Sequence, residues 1–142
     1  MIDEVLSVCN VSEYNEEWLL DYCASHHICP HKDWFASNQI VNDGIVLLGY
    51  KHSCKIVGVG SVKIKMFDRV IITLIDVRHL FELKTNLISL GVLESCGHKF
   101  TGLSGVLKVS KGALVVMKAQ KTRNLYKLVG RTQVNDTTLE SE

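Results

Sequence analysis

The stretch WLLDYCASHH, residues 18–27, sets an aspartate directly behind an apolar run and follows it with Tyr22, Cys23, Ala24, Ser25 and two histidines. Three readings compete for it: Asp21 as a catalytic carboxylate, Cys23 to Cys29 as part of a metal site, or a strand running into a polar turn. Taken alone, an Asp in this position is more often a turn former or cap than a catalyst, because its short carboxylate bonds nearby backbone. The rest of the chain has to decide.

The chain has 142 residues, within the usual span of one domain and long enough to bury a core. Apolar residues make up 46% and charged residues 22%, an ordinary globular balance far from that of a disordered chain. The 16 basic and 15 acidic side chains leave a formal charge of +1, so no global field implies nucleic acid or an anionic membrane as a partner. No apolar run approaches a membrane span, and the opening MIDEVLSVCN carries acids where a signal peptide would carry basic residues. An intracellular, cytoplasmic protein is expected. Five cysteines (9, 23, 29, 54 and 96) at irregular spacing argue for reduced thiols rather than a disulfide framework.

Residues 1–16 are polar and acidic and read as an arm or linker, 17–130 as one β domain, and 131–142 as a polar tail without structure of its own. Within the domain, short apolar runs are broken by turn residues, the pattern of successive hairpins. GIVLLGY (44–50) and SVKIKM (61–66) read as strands, the second with Val62, Ile64 and Met66 on one face. VIITLIDV (70–77) is β-branched and almost wholly apolar, which predicts a central strand buried on both faces. TNLISLGVLESCG (85–97) predicts the one helix, near 86–96, with Thr85 or Asn86 as cap and Gly97 at C′. GVLKVS, ALVVMK and NLYKLV then read as hairpin strands, with a turn at Lys111-Gly112 and a solvated basic tip in KAQKTRNLYK.

A zinc reading would use Cys23, His26 or His27, Cys29 and His31. Those ligands crowd into nine positions with no distant partner pair, whereas tetrahedral zinc commonly takes two close pairs across a longer loop. Partly exposed histidines beside packed cysteines are the better reading, so neither metal nor cofactor is expected. A thiol nucleophile at Cys23 or Cys29 would need a base and an orienting group that sequence does not reveal. GVGSVK (58–63) lacks the third glycine and the following helix of a dinucleotide fingerprint.

WLLDYCASHHICPHKDWF, VLLGYKHSCKIVGVGSVKIKM, TLIDVRHLFELKTNLISLGVLESCGHKF and GVLKVSKGALVVMK with LYKLVG together resemble the aspartic protease region of plant Copia-type retrotransposon Gag-Pol polyproteins, from about Trp18 to Gly130. The resemblance implies a retropepsin-like fold: all-β, a closed barrel with one short helix, working as a two-fold homodimer on polyprotein substrate. It places the catalytic carboxylate at Asp21, the active-site loop at Tyr22, Cys23, Ala24 and Ser25, and the flap at Gly49, Tyr50, Lys51, His52 and Ser53. NLISLG, ending at Gly91, is similar to the apolar segment and glycine packed behind the active-site loop.

The residues argue for the dimer independently. Aspartic proteolysis needs two carboxylates that share a proton, and this chain carries one such motif. Asp43-Gly44 lacks an apolar strand before it, and Asp136-Thr137-Thr138 lies in the polar tail. A second chain on a two-fold axis would supply the other Asp. The chain departs from the family at Tyr22 and Cys23, where a small hydroxyl residue and then a small residue are usual. The alternative implied by that departure is a catalytically impaired or domesticated retropepsin-fold module for dimerisation or spacing.

Overall fold

A computed structural model describes residues 16–41, 44–47, 53–134 and 137–138. Fourteen strands run in chain order: β1 (Trp18–Asp21), β2 (Ile28–Cys29), β3 (Phe35–Ile40), β4 (Ile45–Leu47), β5 (Ser53–Lys55), β6 (Gly58–Met66), β7 (Ile71–His79), β8 (Asn86–Ser89), β9 (Lys99–Leu103), β10 (Val106–Lys111), β11 (Leu114–Thr122), β12 (Leu125–Leu128), β13 (Gly130–Val134) and β14 (Thr137–Thr138). Among the described residues, a 3-10 turn covers Lys32–Trp34 and one helix, α1, spans Leu90–Ser95. The mainly β fold with one short helix matches the expectation from sequence. Among the described residues, no helix is long and apolar enough to cross a membrane.

The main sheet runs β14-β13-β6-β7-β2-β8-β1-β12-β11-β10-β9, with β3 paired to β6, and β4 and β5 form a separate hairpin. Its ladder ends at β14 and β9, so among the described residues the closed barrel expected from the resemblance is not seen. Its halves instead curl over shared apolar contents: Ile64 and Met66 of β6 join Val109 of β10 and Met117 of β11 in one buried cluster. Side-chain packing does what a closed ring of hydrogen bonds would otherwise do.

β1 explains why Trp-Leu-Leu carries no polar residue. It pairs parallel with β8 and antiparallel with β12. Successive strand side chains point to opposite faces. Trp18 and Leu20 enter the larger core, while Leu19 enters a second core with Ala24, Ile28, Val46, Cys54, Leu80 and Leu87. On β8, Leu87 and Ile88 divide between the same two cores. The β1-β8 pair is thus a wall with hydrophobic material on both sides, and Asp21 and Ser89 face each other in register where it ends.

Three sequence expectations change. The helix expected over 86–96 begins only at Leu90, because Asn86 to Ser89 are drawn into parallel pairing with β1. Its C-terminal end is as expected: Gly97 adopts φ +95, and the Gly97 and His98 N–H groups bond the Glu94 and Leu93 carbonyls at 3.0 Å, a Schellman closure. β7 is interior in strand order but not buried on both faces, since Ile71 and Ile75 are exposed. Finally, Arg131 to Val134, expected in an unstructured tail, pair with β6 as part of β13. The buried Thr132 hydroxyl there accepts the Trp18 indole N–H at 2.9 Å.

Candidate active site

Asp21 is the last residue of β1 and is half-exposed. Its Oδ1 accepts the backbone N–H of Cys23 at 2.8 Å, closing an Asx turn that redirects the chain out of the sheet. Cys23 is not among the residues with positive φ, so this turn asks for no glycine. Beyond it the chain runs through exposed Tyr22, Cys23 and Ser25, with Ala24 buried between them.

The loop is held from behind by Ser89. The buried Ser89 hydroxyl donates to the Ala24 carbonyl at 2.7 Å and accepts the Val92 N–H at 3.1 Å, so one oxygen both clamps the loop and caps α1. The Ser89 N–H donates to His27 Nδ1 at 2.9 Å, which places the ring proton on Nε2 and requires the neutral imidazole. Burial holds the His27 pKa down to about 4, consistent with that role. The loop is thus bound at both ends to the turn between β8 and α1.

Asp21 opens onto a cleft of about 530 Å³ whose walls include Tyr22, Leu90, Leu107, Leu125 and Tyr126. Among the described residues, Asp21 is the one carboxylate lining it. The Tyr22 ring, 61% exposed, meets Phe100 of β9 edge-on with centroids 5.7 Å apart. A carboxylate beside an apolar trough can hold a water and accept its proton, which is half of an acid-base pair.

The residues of the zinc reading are spent separately. Cys29 is buried, its thiol pushed up to about 12 by desolvation and donating to the His31 carbonyl at 3.7 Å. His31 stacks on Trp34 with centroids 4.0 Å apart. His26 Nδ1 lies 2.9 Å from the Ser25 hydroxyl, and His27 is engaged with Ser89. Among the described residues, no three His, Cys, Asp or Glu side chains gather as a metal site would require.

Of the flap positions, Gly49, Tyr50, Lys51 and His52 lie outside the described residues, and Ser53 opens β5. β4 and β5 pair antiparallel with Leu47 opposite Ser53, and Val46 and Cys54 share the second core with Ala24. The hairpin is therefore anchored on the buried side of the Asp21 loop. The resemblance sets NLISLG behind the active-site loop without singling out Ser89, the zinc reading weighs His27 only as a ligand, and Phe100 has no assigned role in the sequence reading. Ser89 was open to detection: it precedes Leu-Gly-Val-Leu as an N-cap should, but Thr85 and Asn86 offered competing caps upstream.

The family described as Pol polyprotein, beta-barrel domain, matches residues 18–98. Over 126 residues, 89% of the chain, the sequence is 32% identical to the Retrovirus-related Pol polyprotein from transposon TNT 1-94 of Nicotiana tabacum. The chain spans 10% of that polyprotein's length. No solved structure matches at a significant level.

Proposed function

The chain belongs to the Pol polyprotein β-barrel domain family, and from that premise we propose that it is a retropepsin-like aspartic endopeptidase domain of a retrotransposon polyprotein, with Asp21 from each of two protomers as the catalytic pair. The observation carrying this reading is the placement of Asp21. It ends a parallel strand pair, opens on an apolar cleft, and sits on a loop clamped from behind by Ser89.

In the reaction, one ionised Asp21 takes a proton from water while the protonated Asp21 of the second protomer hydrogen-bonds the scissile carbonyl. The water oxygen bonds to the carbonyl carbon, the resulting diol collapses, and the C–N bond breaks as the amide nitrogen is protonated. With Asp21 as the one carboxylate among the described lining residues, the second carboxyl of this reaction would come from another protomer. The flap role of residues 49–53 is carried by the resemblance alone, since the described residues of β4 and β5 line no part of the Asp21 cleft.

A second reading, a non-catalytic dimerisation or spacer module of the polyprotein, is favoured by one feature. Tyr22 and Cys23 stand exposed where the protease family carries small residues. Self-cleavage of a longer native precursor, compared with its Asp21→Asn variant, separates the two. Cleavage that rises faster than linearly with protein concentration and vanishes in the amide variant is the expected result. A folded native dimer that leaves the precursor intact would overturn the enzymatic reading.

A further inference from the structure

A second cleft, of about 550 Å³, shares no lining residue with the Asp21 cleft and gathers most of the local charge. Four cations converge on it from four elements: Lys65 of β6, Arg69 of the β6-β7 turn, Lys127 of β12 and Arg131 of β13. Glu17 is the one carboxylate among the described lining residues and pairs with Lys127 at 3.1 Å. The cleft therefore carries a formal +3 in a chain whose whole charge is +1. That concentration is invisible in the composition, because the contributors are scattered over more than sixty positions and brought together only by the sheet.

Two local features bring the cations together. Lys65 and Arg131 are direct cross-strand partners, which sets two cations side by side on one face of the sheet. Arg69, at φ +72 in the β6-β7 turn, lines the same cleft.

We propose that this cleft binds the phosphodiester backbone of a single-stranded nucleic acid. Arg69 and Arg131 supply guanidinium forks suited to phosphate oxygens, and Lys65 and Lys127 add point charges. Phe67, whose ring lies 4.5 Å from the Lys118 ammonium, gives the cleft an aromatic wall. Cations interleaved with an aromatic ring suit a strand carrying both phosphates and bases better than an acidic peptide. The near-neutral total charge, which argued against nucleic acid, does not describe this local field. The cleft opens at the Glu17 end of β1, roughly 13 Å from Asp21 at about 3.3 Å per residue, so this inference does not rest on the proposed proteolysis.

The test is fluorescence anisotropy of a labelled short oligouridylate with the full chain at low salt. Lys65→Gln combined with Arg69→Asn should weaken binding by about ten-fold or more and flatten the log-log salt slope by about 1.4, near 0.7 for each lost cation. Because Asn tolerates the left-handed turn position, the variant should keep or gain thermal stability, which a merely structural role for Arg69 would not allow. Glu17→Gln should tighten binding. Lys32→Gln with Lys84→Gln removes the same charge from exposed positions away from the cleft and should leave binding unchanged. An equal loss in that control, competition by oligoglutamate as strong as by RNA, a free nucleotide binding as tightly as the strand, or no binding at low salt would each overturn the proposal.

Discussion

Ser89 holds Ala24: a buried serine hydroxyl at the end of β8 donates to the carbonyl of the residue three positions beyond Asp21, at 2.7 Å and across 65 positions of sequence. The same oxygen caps α1, so the loop and the helix behind it are set by one atom. Ser89→Ala removes an N-cap, worth about 1 kcal/mol, and leaves the Ala24 carbonyl short of a partner, worth about 1 kcal/mol or more. Urea denaturation should show a loss of about 2 kcal/mol with an unchanged m-value. A loss within a few tenths of a kcal/mol would mean that the clamp contributes nothing to folding.

His27 makes the same junction sensitive to pH. Its folded pKa, lowered to about 4 by burial, lies below its unfolded value of 6.5, so between these values the unfolded chain binds more protons. The stabilisation is complete above pH 6.5 and is lost as pH falls toward 4, at most about 3 kcal/mol in all. Burial also lowers the pKa values of His26 and His79, which add a slope of the same sign. His27→Gln keeps a neutral acceptor for the Ser89 N–H while removing the titration. Its stability should fall less steeply than wild type between pH 6.5 and 4.5, and parallel curves would assign the acid sensitivity elsewhere.

Legibility of the sequence differed by element, for physical reasons. The hairpins of the C-terminal half announce themselves in residue type. Gly112 (φ +62) follows Lys111 as expected, and Arg123 with Asn124, both at positive φ, make a tight primed turn inside the polar break. The Asp21 turn was legible for the same reason, since an Asp after an apolar run makes a local bond to Cys23 that needs no distant residue. The start of α1 was not legible: Leu87 and Ile88 fit a helical period and a doubly buried strand equally well, and only pairing with β1 chooses. Gly60 in Gly58-Val59-Gly60 is explained by close strand approach. A Cβ at Gly60 would stand 1.8 Å from the Ser37 carbonyl oxygen on β3. The basic cleft was beyond sequence reading, because it exists only once β6, β12 and β13 are brought together.

Gly130–Val134 are a structural part of the domain. Trp18 donates its indole N–H to Thr132 across 114 positions, inside the main core. Thr132→Val preserves shape and leaves that N–H buried and unpartnered, at a cost of about 1 to 3 kcal/mol. Thermal melting should register a lowered midpoint with a matching loss in chemical denaturation. Wild-type stability in this variant, or in a chain ending at Val129, would return these residues to the status of a tail.

The departures at Tyr22 and Cys23 supply the last prediction, and the two residues stand differently. Cys23 contributes its backbone N–H to Asp21 Oδ1 from a conformation without positive φ, so glycine there adds freedom without improving the bond. Cys23→Gly should therefore leave precursor cleavage within about three-fold of wild type and cost up to about 1 kcal/mol of stability. Tyr22 packs its ring on Phe100 and remains 61% exposed, so Tyr22→Ser forfeits an edge-on contact of about 1 kcal/mol. If the phenol is accommodated at the two-fold axis, Tyr22→Ser changes dimer affinity more than the rate of the assembled enzyme, and native protein cleaves. If its bulk keeps two Asp21 loops apart, native protein is as inert as Asp21→Asn, and the Tyr22→Ser/Cys23→Gly pair gains activity. Sedimentation and precursor cleavage, measured together on these variants, read the two effects apart. Inactivity of all three in a folded dimer would leave the spacer reading standing, because no arrangement of the loop would then bring the carboxyls to work.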